Sequence, residues 1–114
     1  MRAIVKIMSE ADWALARRTG CVPPATIDLI DGFIHLSTEQ QALETARRHF
    51  AGCDDLVAVA FDADQFGDAL KWEASRGGAL FPHVYAELPA ARAIGARRLR
   101  RLAGGGFEFG EEIE

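Results

Sequence analysis

Asp31-Gly32-Phe33-Ile34-His35-Leu36-Ser37-Thr38-Glu39-Gln40 holds a turn, a strand and a helix start within ten residues. Asp-Gly is a turn pair, because glycine takes backbone conformations that other residues avoid. Phe33 to Leu36 reads as a strand. Alternation sends Ile34 and Leu36 to the core, and Phe33, His35 and Ser37 to the opposite face. Ser37 is the expected N-cap of a helix over about Thr38 to His49, with Gln40 as its capping-box partner. Leu43, Ala46 and Phe50 form the core stripe of that helix. Gln41, Thr45 and His49 form a second stripe, polar but nearly uncharged. A face turned wholly to solvent usually carries Lys and Glu, so this stripe is read as lining a wet cleft.

On the N-terminal side, Ala3 to Met8 is a β-rich run read as a buried strand. Ser9, with Asp12 three residues on, starts a helix that runs to Arg17 or Arg18. Gly20 ends it, and Trp13 is assigned to the core. Cys21 to Ile30 is read as a long connection broken by Pro23-Pro24, and loops of that length tend to be functional or mobile.

On the C-terminal side, Leu56 to Phe61 is almost entirely apolar and reads as a central strand. Leu70 to Glu73 is a short strand with Leu70 and Trp72 on one side and Lys71 and Glu73 on the other. Ser75-Arg76-Gly77-Gly78 is a flexible loop. Phe81 and His83 to Ala86 form a strand that puts Phe81, His83 and Tyr85 on one face. Ala91 to Leu102 is read as a strand, on the alternation of Arg98 and Arg100 with Leu99, with a helix as the alternative. Phe107 to Phe109 is a last strand, and residues 110–114 are read as a frayed, disordered acidic tail.

The 114 residues fit one domain spanning 1–114. A net charge of −4 argues against a general grip on nucleic acid. The paired arginines at 17–18, 47–48, 97–98 and 100–101 still leave a phosphate-bearing ligand open. No apolar stretch approaches the ~20 residues of a membrane helix, and the N-terminus lacks the apolar region of a signal peptide. Cys21 and Cys53, without a CxxC pattern, are read as reduced thiols of a cytoplasmic protein.

Among groups that do chemistry, His35 stands first. It is either a ligand-facing histidine or a half-buried one bonded to a neighbour. His49 is a helix C-terminal cation favoured by the dipole or a cleft residue, and His83 faces a ligand or packs. The three histidines, fourteen and thirty-four residues apart, match no short zinc motif, so no metal is expected. Arg76 beside two glycines suits an anion. Glu73 suits a general base or a ribose hydroxyl, or else it is a solvated strand residue or a partner of Arg76. GxSxG, Walker A and full GxGxxG patterns are absent.

The central stretch, followed by Thr45-Ala46, His49-Phe50, Trp72-Glu73, Ser75 to Gly78 and Leu80 to Tyr85, resembles the bacterial domain-of-unknown-function family 952 over nearly the whole chain. That resemblance implies no activity. Cys21 departs from it, where relatives are expected to carry an aromatic residue. Ile34 to Ser37, the helix with Ala46 and His49, and the strand ending Phe61-Asp62-Ala63 more distantly resemble the C-terminal half of the NAD-dependent RNA 2′-phosphotransferases. His35 and Ser37 match that family's His-x-Ser, and His49 its next histidine. The RNA-binding lobe, the early arginine-histidine pair and the histidine-glycine of the first strand have no counterpart here, and neither does a toxin-type Glu-x-Glu.

The second resemblance implies an α+β, small ADP-ribosyltransferase-like fold with split, mainly antiparallel sheets and two main helices. It implies NAD, as ligand or co-substrate, in the cleft between the sheets. In that reading His35 and Glu73 are catalytic: His35 holds ribose or phosphate, and Glu73 steadies positive charge on the ribose. Ser37, Gln41, Thr45, His49, Arg76, His83 and Tyr85 bind the ligand, with Arg76 on the pyrophosphate and Tyr85 stacked on a ring. Two other readings stay open: a non-enzymatic binding module that kept the fold without the chemistry, and a metal-dependent hydrolase using the three histidines.

Overall fold

The computed structural model describes residues 2–113, Arg76 by its backbone alone. Strand β1 (Ala3–Ser9) is apolar on both sides because both of its faces are covered. It pairs antiparallel with β4 (Leu56–Asp62), setting Ile4 opposite Phe61 and Met8 opposite Val57. With β3 (Ser37–Thr38), β7 (Ala93–Arg101) and β8 (Phe107–Glu112) these strands make a five-stranded sheet in the order β3-β1-β4-β7-β8. A second, three-stranded sheet runs β2-β6-β5, from β2 (Ile34–His35), β6 (Leu80–Val84) and β5 (Leu70–Ala74). The pairings in both sheets are antiparallel, so the α+β reading with split antiparallel sheets stands.

Alternation along the central strands divides the core in two. Ile4, Met8, Val57, Val59 and Phe61 pack with Trp13 and Ala16 of α1 (Glu10–Thr19) and with Ile34, Leu36, Val84 and Leu88 from the second sheet and its flanks. Val5, Ile7, Leu56 and Ala58 pack under α3 (Glu39–His49), against Ala42, Ala46, Leu99 and Phe107. Helix α1 begins and ends where its residues predict. Ser9 Oγ accepts the Asp12 N–H at 3.0 Å. Gly20, at φ 103°, takes the left-handed turn that closes the helix.

Four expectations need correction. The strand read over Phe33 to Leu36 shortens to β2 in the small sheet; buried Leu36 makes a corner, donating its N–H to Pro82 O at 3.1 Å, and β3 then joins the large sheet. The cap of α3 is Thr38, not Ser37, and its box partner is Gln41, not Gln40. Ser37 is unavailable because its backbone pairs with Val5 and its buried hydroxyl shares a 2.9 Å hydrogen bond with Thr45. The connection from Cys21 contains a short helix, α2 (Thr26–Asp31). Asp28 accepts the Ala25 N–H at its start, and Gly32 closes it at φ 83°.

The fourth correction concerns the acidic tail. Gly110 to Glu112 continue β8: Glu112 pairs with Arg97 of β7, and Arg98 reaches Glu111 at 3.0 Å. Glu114 lies outside the described residues. The strand reading of Ala91 to Leu102 holds, preceded by a 3-10 turn over Ala90–Arg92.

Phe61 is fully buried at the centre of the larger core. Phe61→Ala is expected to cost about 3–5 kcal/mol of unfolding free energy in urea titration. A loss under about 1 kcal/mol would contradict this placement of the core.

Candidate functional site

The site starts from a charge in the wrong place. Lys6 shares a strand face with Ile4 and Met8 and is buried. An ammonium removed from water needs a counter-charge and hydrogen-bond acceptors. Asp28 of α2, twenty-two residues away, provides both: its Oδ2 accepts from Lys6 Nζ at 2.8 Å. Lys6 also donates to His35 O at 3.0 Å. Asp28 Oδ1 accepts the His35 backbone N–H at 3.0 Å and lies 2.8 Å from its Nδ1. Burial pushes the Asp28 carboxyl up, but the Lys6 charge and the hydrogen bonds from Lys6 and His35 outweigh it and hold the group below the usual carboxylate range.

His35 therefore leaves β2 with its backbone and one ring nitrogen tied to Asp28. Its Nε2 lies 2.9 Å from Asp31 Oδ2. Both ring nitrogens face carboxylate oxygens, an arrangement that a doubly protonated ring satisfies at both ends.

Across the ladder, β2 sets His35 opposite His83 of β6, and the ring centroids are 5.2 Å apart. His83 is buried in the middle strand of its sheet, with Lys71 of β5 opposite it on the other side. Its Nδ1 is 2.8 Å from Glu73 Oε1. The Tyr85 hydroxyl donates to the same carboxylate, at 2.8 Å and 3.2 Å. The His83 and Tyr85 hydrogen bonds hold the Glu73 carboxyl below its ordinary value, and the bond to Glu73 pushes the Tyr85 phenol up. Phe33 braces these rings, 4.3 Å from His83 in a stacked arrangement, 4.6 Å from His35 and 5.0 Å from Tyr85.

A cavity of about 820 Å³ opens beside this cluster, lined by Lys6, His35, Ser37, Thr45, His49 and His83 among others. Its size is that of a small-molecule site. A second cavity, of about 560 Å³, is lined by Val22, Leu29, Phe33, Asp28 and Glu87 among others, and no histidine lines it.

Of the residues singled out from the sequence, His35, Ser37, Thr45, His49 and His83 meet on the larger cavity. Glu73 and Tyr85 join it through His83. Gln41 does not line it: its amide closes the α3 cap and donates to Leu80 O at 2.8 Å. The side chain of Arg76 lies outside the described residues, while its neighbour Ser75 lines the cavity. Sequence reasoning missed Lys6, Asp28, Asp31 and Phe33 as members of the cluster. A signal existed for one of them: a lone lysine inside the apolar run Ala3 to Met8 must find a buried acid. Among the described residues no three His, Cys, Asp or Glu side chains are grouped to hold a metal ion. No helix there is long and apolar enough to cross a membrane.

The family described as Protein of unknown function (DUF952) matches residues 7–96, which include Asp28, His35, Glu73, His83 and Tyr85. Protein CC0527 from Caulobacter crescentus, known from a crystal structure, is similar at 44% identity with a TM-score of 0.88, covering 93% of each chain. Its solution structure is similar at 45% identity with a TM-score of 0.82, covering 93% of this chain and 91% of that one. No curated protein matches the chain.

Asp28→Asn leaves Lys6 buried without its counter-charge and is expected to cost about 3–5 kcal/mol in urea unfolding at neutral pH. The native Asp28 carboxyl lies below its unfolded value, so its stabilisation is complete above that value, about 3.9, and is lost as the pH falls through the native one. The wild type should therefore lose stability more steeply than Asp28→Asn below about pH 4. Parallel acid profiles would show that Asp28 carries no such linkage.

Proposed function

We propose, of a chain that belongs to the DUF952 family of proteins of unknown function, that its cleft binds NAD or an ADP-ribose-like nucleotide and transfers the ADP-ribosyl group. One observation carries this reading: His35 and His83 stand side by side on neighbouring strands, each locked to a carboxylate, at the wall of a cavity of about 820 Å³. A nucleotide offers the complementary chemistry. Its ribose hydroxyls both donate and accept, which suits a wall of imidazoles and carboxylates. Its aromatic ring suits the exposed face of Tyr85, which is 43% accessible. The pyrophosphate falls to Arg76, the cation that the sequence sets beside two glycines.

The split antiparallel sheets support the ADP-ribosyltransferase-like reading, and so does a cavity that both His35 and Ser37 line. The protein's contribution to transfer would be positioning and electrostatics around a ribose that becomes positive as nicotinamide leaves.

One feature favours the non-enzymatic module instead. Both nitrogens of His35 are already engaged, so this histidine offers no free atom for proton transfer without releasing Asp28 or Asp31. In the proposed reading His35 is accordingly a binding and shaping residue. Isothermal calorimetry with NAD, ADP-ribose and 2′-phosphorylated RNA tests the reading. Heat is expected with at least one of the three. His35→Ala should weaken that binding about tenfold, or about 1.4 kcal/mol. Silence with all three at millimolar concentration would discard it.

A further inference from the structure

We infer that His83 is the general base of the cleft, that Glu73 is the residue that positions it, and that the group it deprotonates is a water or an alcohol attacking the ribose of the bound nucleotide. The inference rests on the nucleotide reading for its ligand, and on the hydrogen-bond pattern alone for the dyad.

The sequence suggests Glu73 for the catalytic part, and the geometry points to its neighbour. Glu73 Oε1 accepts from two donors at once, the Tyr85 hydroxyl and the ring of His83, each at 2.8 Å. These two donors take up Oε1, and the hydrogen bonds hold the carboxyl below its ordinary value, which makes it a poor proton acceptor. The same bond sets the tautomer of His83. The nitrogen facing Glu73 is Nδ1, and an ionised carboxylate can only accept, so the proton of the neutral ring sits there. Nε2 is then the lone-pair nitrogen, and His83 lines the cavity. A carboxylate that orients an imidazole and steadies its charged form is the general arrangement for a histidine base.

Ring placement supports the assignment. His83 sits on the middle strand of its sheet, with a neighbour in register on each side, and Phe33 stacks on its ring at an interplanar angle of 30°. Phe33, His35 and Glu73 thus hold the ring in place, as precise proton transfer requires. His35 is the contrast. It has both nitrogens bound to carboxylates, whereas His83 has one. The two histidines thus divide the work, one shaping the wall and one available to react.

The step balances with water as co-reactant. The water oxygen forms a bond to ribose C1′ while the C1′–N bond to nicotinamide breaks. Nicotinamide leaves as a neutral molecule with the bonding electron pair. The water proton moves to His83 Nε2, and Glu73 balances the imidazolium. ADP-ribose and nicotinamide depart, and Nε2 later returns its proton to solvent. An alcohol acceptor follows the same course and ends as an ADP-ribosyl O-glycoside.

Two measurements on the full chain test the inference. Long-range proton–nitrogen NMR of ¹⁵N-histidine-labelled protein should show neutral His83 protonated at Nδ1 and bare at Nε2, and Glu73→Gln should shift that balance. Chromatography should detect nicotinamide released from NAD by the wild type. His83→Gln should slow release at saturating NAD by about 10²–10⁴-fold. Glu73→Asp should retain more activity than Glu73→Gln, and His83→Asn serves as a second variant should His83→Gln fail to fold by circular dichroism.

An Nε2-protonated tautomer, wild-type release by a folded His83 variant, or NAD binding without any release would each overturn the assignment. A silent NAD titration overturns the ligand and the ribose step, and the tautomer, read without nucleotide, then decides the dyad separately.

Discussion

The ion pair between Lys6 and Asp28 is the contact on which the site depends. It joins the central strands of the large sheet to α2, and through Asp28 it fixes both the backbone and the ring of His35. The pair is costly to desolvate, and an apolar pair of similar volume could serve stability as well. What it supplies is specificity of placement. The Lys6 ammonium must meet acceptors, and Asp28 and the His35 carbonyl provide them, which ties α2 and β2 to β1.

The corner at Leu36 extends that constraint to the second sheet. Within three residues the chain leaves the three-stranded sheet at His35, buries Leu36, and enters the five-stranded sheet at Ser37. The two sheets are thus linked at the place where the polar cluster forms. His35 faces His83 because β2 pairs with β6, and Ser37 meets Thr45 because β3 leads directly into α3. A shift of one residue in either pairing would turn these side chains to the opposite face.

Much of the fold was legible because it follows local rules. Ser9, Asp12 and Gly20 delimit α1 with groups that lie within a turn of the ends they close. The apolar run from Leu56 is a central strand because a strand covered on both faces has no use for alternation. The face assignments of Ile34, Leu36 and His35 needed only a period of two. The site was partly legible for the same reason: His35 and His83 were placed on the working faces of their strands, and Thr45 and His49 on the wet side of their helix. The cap of α3 was misplaced by one residue because Ser37 and Thr38 are both good caps. The choice fell to Thr38 when Ser37 was taken by β1 and Thr45.

The sequence by itself determined most element types, the boundaries set by Ser9 and Gly20, and which side chains share a face. These depend on backbone sterics and on neighbours within a few residues. Tertiary structure alone decided that Asp28 would neutralise Lys6, that α2 would form in an apparent connection, and that Glu111 would be held in a strand by Arg98. It also decided that both ring nitrogens of His35 face carboxylates, while Glu73 takes Nδ1 of His83. Each of these outcomes is a choice of partner across the chain. Periodicity and capping patterns describe a residue's own surroundings, while the partner of a buried charge is settled only when distant segments compete for it during packing.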